Sequence, residues 1–164
     1  VYEGGVRVPF AAQWKGRVPA GAVCERPAMS IDVFPTILAA AGIEPPAGVT
    51  FDGINLMTYM DEKSGGATAP RNIFWRFGPQ WAVREGDMKL VHSSAEGIQL
   101  FDLAKDVGES KNLVSEQPET VKRLRATYDQ WNAQNEEPRW RDTRDVKRAA
   151  RRGGTPATAP AGDD

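Results

Sequence analysis

Cysteine and histidine each occur once in the 164 residues, as Cys24 and His92. One thiol excludes an internal disulfide framework and any cluster of thiolate metal ligands. One imidazole excludes a two-histidine zinc helix, a zinc finger and a relay built on several histidines. Charge of a single sign is also missing, since 21 basic and 22 acidic side chains leave a net charge of -1. Nothing global therefore selects nucleic acid or an anionic membrane as a partner. No window approaches the roughly 18 consecutive apolar residues that would cross a bilayer. A Gly-x-Gly-x-x-Gly fingerprint, a Walker loop, a Gly-x-Ser-x-Gly elbow and a calcium loop of alternating aspartates are absent too. The opening Val1-Tyr2-Glu3 has neither an initiator methionine nor a leader pattern, so the expectation is a chain that starts inside a longer protein.

What is present suits a globular core: 40% of residues are hydrophobic and 26% charged. Val6, Val8 and Phe10 alternate, which predicts a strand with Pro9 at an edge. Asp32 stands where an N-cap belongs, and Val33, Phe34, Ile37, Leu38 and Ala41 recur at helical spacing up to Gly42, a natural C-terminal stop. Asp52-Gly53 is a turn signal, and a short helix is possible from Leu56 to Met60. Strands are expected at residues 73–77, 81–84, 88–91 and 98–103, with Glu85-Gly86-Asp87 as a tight connector. A last helix, capped by Ser115 or Gln117 with Pro118 in its first turn, places Val121, Leu124, Tyr128 and Trp131 on one face. The resulting expectation is an α+β subdomain: a four-stranded antiparallel meander packed by a C-terminal helix.

Few residues invite chemistry. His92 follows Met88 and Leu90 at period two, which favours a strand-end histidine on the packed face of the sheet over a proton shuttle. Cys24 has Arg26 nearby but no histidine partner, so an inert thiol is favoured. Asp102 and Asp106 suit hydrogen bonding to loop amides. Trp75 and Arg76 form the most site-like pair, an aromatic face beside a guanidinium fork suited to an anionic or sugar-ring substrate, with core packing of Trp75 equally open. The run Arg139, Arg141, Arg144, Lys147, Arg148, Arg151 and Arg152 favours a solvated helical extension over a polyanion site, and the Gly/Pro/Ala-rich tail after it is expected to be disordered.

Tyr2-Glu3-Gly4-Gly5-Val6-Arg7-Val8-Pro9-Phe10, Asp32-Val33-Phe34-Pro35-Thr36-Ile37-Leu38, Asp52-Gly53-Ile54-Asn55-Leu56, Ala82-Val83-Arg84-Glu85-Gly86-Asp87-Met88-Lys89-Leu90 and Leu100-Phe101-Asp102-Leu103, followed by Asp106, Glu109 and Asn112-Leu113, resemble landmarks of the latter half of sulfatases in the same order. The resemblance implies an alkaline-phosphatase-like α/β domain, of which residues 1–60 form the end, a connection at 61–71, the antiparallel subdomain at 72–136 and a basic extension at 137–164. It implies hydrolysis of sulfate esters by a formylglycine, assisted by calcium, in a periplasmic or secreted enzyme acting on a sulfated small molecule or carbohydrate. No catalytic residue and no metal ligand of the family carries over onto this chain. Cys24 is followed by Glu25-Arg26-Pro27-Ala28, which departs from the Cys/Ser-x-Pro/Ala-x-Arg signature of the modified residue. What carries over is Glu3, Gly4, Gly5, Arg7 and Pro9 as a motif beside the site, the glycines allowing close backbone approach and Arg7 held by a salt bridge. Trp75, Arg76 and His92 are the substrate-pocket candidates. The alternatives are a binding module for sulfated glycans, and a phosphodiesterase or phosphonate hydrolase on the same fold.

Overall fold

The computed structural model describes residues 1–60 and 71–137. Residues 61–70 of the connection expected at 61–71, the arginine-rich run and the tail lie outside these residues, so the expectations placed on them have no structural counterpart here.

The strongest pattern in the sequence becomes the strongest part of the fold. Strands β1 (Asn72–Phe77), β2 (Gln80–Glu85), β3 (Met88–Ser93) and β4 (Gly97–Asp102) form one antiparallel sheet in the order β1-β2-β3-β4. The β2–β3 turn places Gly86 at φ 59°, a left-handed conformation that a Cβ would strain. That turn fixes Val83 opposite Leu90, and Leu90 opposite Leu100. The final helix, here α4 (Pro118–Asn132), begins with proline where a lost N–H costs little. The expected side-chain cap is absent: Gln117 holds the N-cap position without capping through its side chain.

Because side chains alternate across a strand, the register sorts the sheet into two faces. One carries Val83, Leu90 and Leu100, which pack with Leu113, Leu124 and Tyr128, so α4 covers it. The aromatic spacing of the helix brings Trp131 flat against Phe74, with ring centres 4.7 Å apart, and Tyr128 against Trp81 at 4.1 Å. The other face carries Ala82, Val91 and Phe101, and onto it the chain lays its own beginning, Val1 and Tyr2, together with Leu103 and Trp75. Both faces of the sheet are therefore buried by this one chain.

The first sixty residues are built differently. α1 (Glu3–Val6) is a single helical turn, and α2 (Val33–Ala41) follows a 3-10 turn at Ser30–Asp32 and ends at left-handed Gly42. α3 (Met57–Met60) is the short helix expected there. The strand expected from Val6 to Phe10 does not form. Gly5 and Val6 donate to the Tyr2 carbonyl and Arg7 to that of Glu3, which winds the backbone, and the alternating Val8 and Phe10 are 73% and 58% exposed. Period-two alternation stabilises a strand only where a neighbour completes the ladder, and among the described residues β1 pairs with β2 alone.

Asp32 also departs from expectation. It precedes α2 but makes no side-chain cap to that helix, and it is fully buried. Its carboxylate accepts from the Met29 and Ile54 amides and from both terminal nitrogens of Arg71, just ahead of β1. Thr36 joins the same knot, donating to the Asp32 carbonyl and accepting from the Leu56 amide. Gly53 is the close-packed point: a Cβ there would lie 2.1 Å from the Ile31 carbonyl oxygen.

Candidate functional site

The sheet register decides which candidate residues can act together. Arg76 pairs with Trp81, and Trp81 with His92, so the three form one row on the α4 face. Trp75, one residue before Arg76, points to the opposite face. The Trp75–Arg76 pair read from the sequence is therefore split by the sheet, and the structure joins Arg76 and His92 through Trp81 instead.

The row is densely partnered. The His92 ring stacks on Trp81 at 5.6 Å with 13° between the planes, and its Nδ1 lies 3.0 Å from the Pro79 carbonyl. This is the packed-face position expected for it. Arg125 of α4 lies over the Trp81 ring at 4.9 Å, a cation–π contact. Arg76 donates to Asn132 and to Glu137, each at 2.9 Å. Burial pushes the Tyr128 phenol up, against the lowering charges of Arg76 and Arg125. Two guanidinium groups and an imidazole thus line an aromatic edge at the end of the β1–β2 hairpin.

Trp75 serves the other face. Its ring lies 5.2 Å from the ammonium of Lys89, which is fully buried. Lys89 contacts Glu3 Oε1 at 2.7 Å and Glu109 Oε1 at 2.9 Å, with both carboxylate side chains under 8% exposed. Glu109 Oε2 in turn accepts the backbone N–H of Glu3 at 2.6 Å. Sequence reasoning gave no role to Lys89 or Glu109. The available signal was that Ala82, Val91 and Phe101 alternate with the α4-facing residues, so a lysine among them must be buried and needs a carboxylate.

In the motif at the start of the chain, the charged member that is tied down is Glu3. Arg7 is exposed and forms no ion pair among the described residues. Gly4 and Gly5 are exposed, with nothing among the described residues within 4 Å of an added Cβ. Pro9 is exposed in the irregular segment after α1. Cys24 is a free, exposed thiol. Asp106 acts as expected, its carboxyl held low first by the Lys111 amide and, despite burial, by Ser110. Asp102 accepts from Lys105 and from the Ala104 amide, and the Lys105 ammonium leads in holding it low. Among the described residues no three of His, Cys, Asp and Glu gather as metal donors, so the calcium implied by the resemblance finds no donor set there. No described helix is long and apolar enough to cross a membrane.

A family model described as N-sulphoglucosamine sulphohydrolase, C-terminal, matches residues 1–134. The chain belongs to this sulfatase C-terminal family. Among curated relatives it is similar to N-acetylgalactosamine-6-sulfatase of Canis lupus familiaris, 40% identical over 77 residues, covering 47% of this chain and 14% of that protein. It is similar to arylsulfatase A of Bos taurus, 33% identical over 142 residues, covering 69% of this chain and 27% of that protein. A sulfatase of Formosa agariphila is 28% identical over 134 residues, covering 71% of this chain and 24% of the relative. The crystal structure of Ps i-CgsB shares the fold with a TM-score of 0.70 at 20% identity, over 85% of this chain and 32% of that one. The chain thus spans about a quarter or less of the curated relatives' length. The sulfatase subdomain expected from the sequence, a four-stranded meander with a C-terminal helix, is the one observed.

Proposed function

We propose that this chain is the C-terminal part of a sulfatase that hydrolyses carbohydrate sulfate esters, and that its subdomain walls the substrate cleft while the formylglycine and calcium are held by other parts of the protein. The observation that carries this reading is the exposed apolar surface of a sulfatase-family segment. Phe34 and Ile37 of α2 are each 56% exposed, while the sheet subdomain is sealed on both faces. An amphipathic helix with an open apolar stripe needs a partner layer, and the large α/β domain of a sulfatase is the layer the family supplies. Carbohydrate as the substrate class rests on the relatives called N-acetylgalactosamine-6-sulfatase. A solved structure of the same fold in complex with k-i-k-neocarrahexaose is in keeping with it.

Within this reading the division of labour follows from chemistry. Cleaving the ester needs a nucleophile, an electrophile for the sulfate oxygens and a proton for the leaving alkoxide. The row Arg76–Trp81–His92 supplies none of these: Trp81 is buried beneath Tyr128, His92 and Arg125, and Arg76 is paired with Glu137. A secreted or periplasmic location belongs to the same proposal, since extracellular sulfated glycans are met there.

The test is sulfate release from a chromogenic aryl sulfate and from a 6-sulfated amino sugar, with calcium, by the 164-residue chain and by the complete protein. Turnover by the complete protein alone is expected. Turnover by the 164-residue chain would overturn the assignment of the chemistry to other parts.

A further inference from the structure

Lys89, Glu3 and Glu109 close a ring that joins three separated parts of the chain. The Lys89 ammonium, rising from β3, contacts one carboxylate oxygen of each glutamate, and the second oxygen of Glu109 takes the Glu3 amide. Glu3 is therefore gripped twice, once by its side chain and once by its backbone. The third side of the ammonium faces the Trp75 ring. Glu109 reaches this position from a loop in which it is the one described non-glycine residue at positive φ, 54°. A side chain held in that region costs stability unless something fixes it, and here its carboxylate is fixed at both oxygens. Around the ring, Tyr2 donates to Gln99 at 2.5 Å and lies against Phe101 with ring centres 6.5 Å apart.

We propose that Lys89 is a buried latch: it seats the segment Val1–Val6 on the sheet face opposite α4 through paired charge, and losing the charge frees that segment as a unit while the α4-covered core stays closed. Two carboxylates desolvated around one ammonium tolerate no removal of the cation, because each would be left buried and uncompensated. The segment can leave without opening the core beneath α4, because that core is built from the other face of the strands. Unseating exposes Ala82, Val91 and Phe101, so the latch also decides whether this face is open or closed to solvent.

Hydrogen exchange on the full chain tests the latch. In Lys89→Met, protection of the Glu3, Gly5, Val6 and Arg7 amides is expected to fall at least tenfold, with the Leu90 and Leu100 amides changing less than threefold. Glu109→Gln, which leaves the Lys89–Glu3 pair, should fall between Lys89→Met and the parent. The neutral set Glu3→Gln, Lys89→Met and Glu109→Gln should recover part of the protection lost in Lys89→Met, since no charge is then left buried. Unchanged protection at Gly5 and Val6 in Lys89→Met would overturn the latch. So would equal loss at Gly5, Val6, Leu90 and Leu100 in both Lys89→Met and Glu109→Gln, which would make the cluster ordinary core.

Discussion

Residues 1–60 and residues 71–137 differ in how much of their apolar surface they bury. In the sheet and α4, Val83, Leu90, Leu100 and Leu124 are fully buried, and Phe77 is exceptional in being exposed. In the first sixty residues Val8, Phe10, Val23, Phe34, Ile37 and Ile43 are all more than half exposed, while Glu3 and Asp32 are buried. The second region closes its α4 face by itself, and its other face is covered in part by Val1 and Tyr2 of the first. The first is held by charge and backbone hydrogen bonds, and it leaves its apolar stripe outward. A region assembled this way is a surface awaiting a layer, whereas the sheet has a layer on each face, α4 on one and the segment at Val1 and Tyr2 on the other.

That contrast can be broken most sharply at its closed end. Leu124→Ala removes a fully buried side chain between α4 and the sheet, and a loss of about 2–5 kcal/mol in denaturant unfolding is expected. A loss below about 1 kcal/mol would show that α4 is not the lid of the core.

Asp32→Asn should come next, at roughly 2–3 kcal/mol, less than for a wholly buried pair because the Arg71 side chain is 18% exposed. Burial is the largest single influence on the Asp32 carboxyl and pushes it up. The Arg71 hydrogen bonds, the Ile54 and Met29 amides and the Arg71 charge together outweigh it and hold the group below the ordinary carboxylate range. The stability this carries is present above about pH 4, the unfolded value, and is lost as pH falls through the lower folded value. Melting followed from pH 5 down to pH 2 should show a steeper decline for the parent than for Asp32→Asn. Parallel curves would remove Asp32 from the acid response.

The smallest effect belongs to the open stripe. Ile37→Ser on α2 should change unfolding of this chain by no more than about 0.5 kcal/mol, because little contact is lost at a side chain already 56% exposed. It should also reduce self-association measured by sedimentation. A penalty above 2 kcal/mol would mean that the stripe is already covered, and the two regions would no longer differ.

How legible each region was in the sequence follows the same divide. Period-two runs ending in Glu85-Gly86-Asp87, and a helix with Leu124, Tyr128 and Trp131 at helical spacing, describe elements whose partners lie within the chain, so local pattern and tertiary structure agree. Val6, Val8 and Phe10 gave a strand pattern, but amides bonded to the Tyr2 and Glu3 carbonyls wind the chain through Val6 into a helical turn, and Val8 to Phe10 follow it as irregular, exposed backbone. Asp32 was legible as the start of a helix and not as the centre of a buried ion pair, because Arg71 lies 39 positions away. The latch was hidden for the same reason, with Glu3 and Lys89 separated by 86 positions. Arg76 was legible as a partner of Trp75 and His92 as a strand-end residue, but their joining through Trp81 needed the register.

Gly53 carries a consequence for reading variation in this sulfatase segment. Any L side chain there would drive its Cβ into the Ile31 carbonyl, and the opposing atom is backbone, which cannot swing aside. In a saturation scan, position 53 should therefore be as intolerant as a residue that touches substrate, although it lies in a half-exposed turn and carries no functional group. Intolerance in a scan and participation in chemistry are separate properties, and this glycine would show the first without the second.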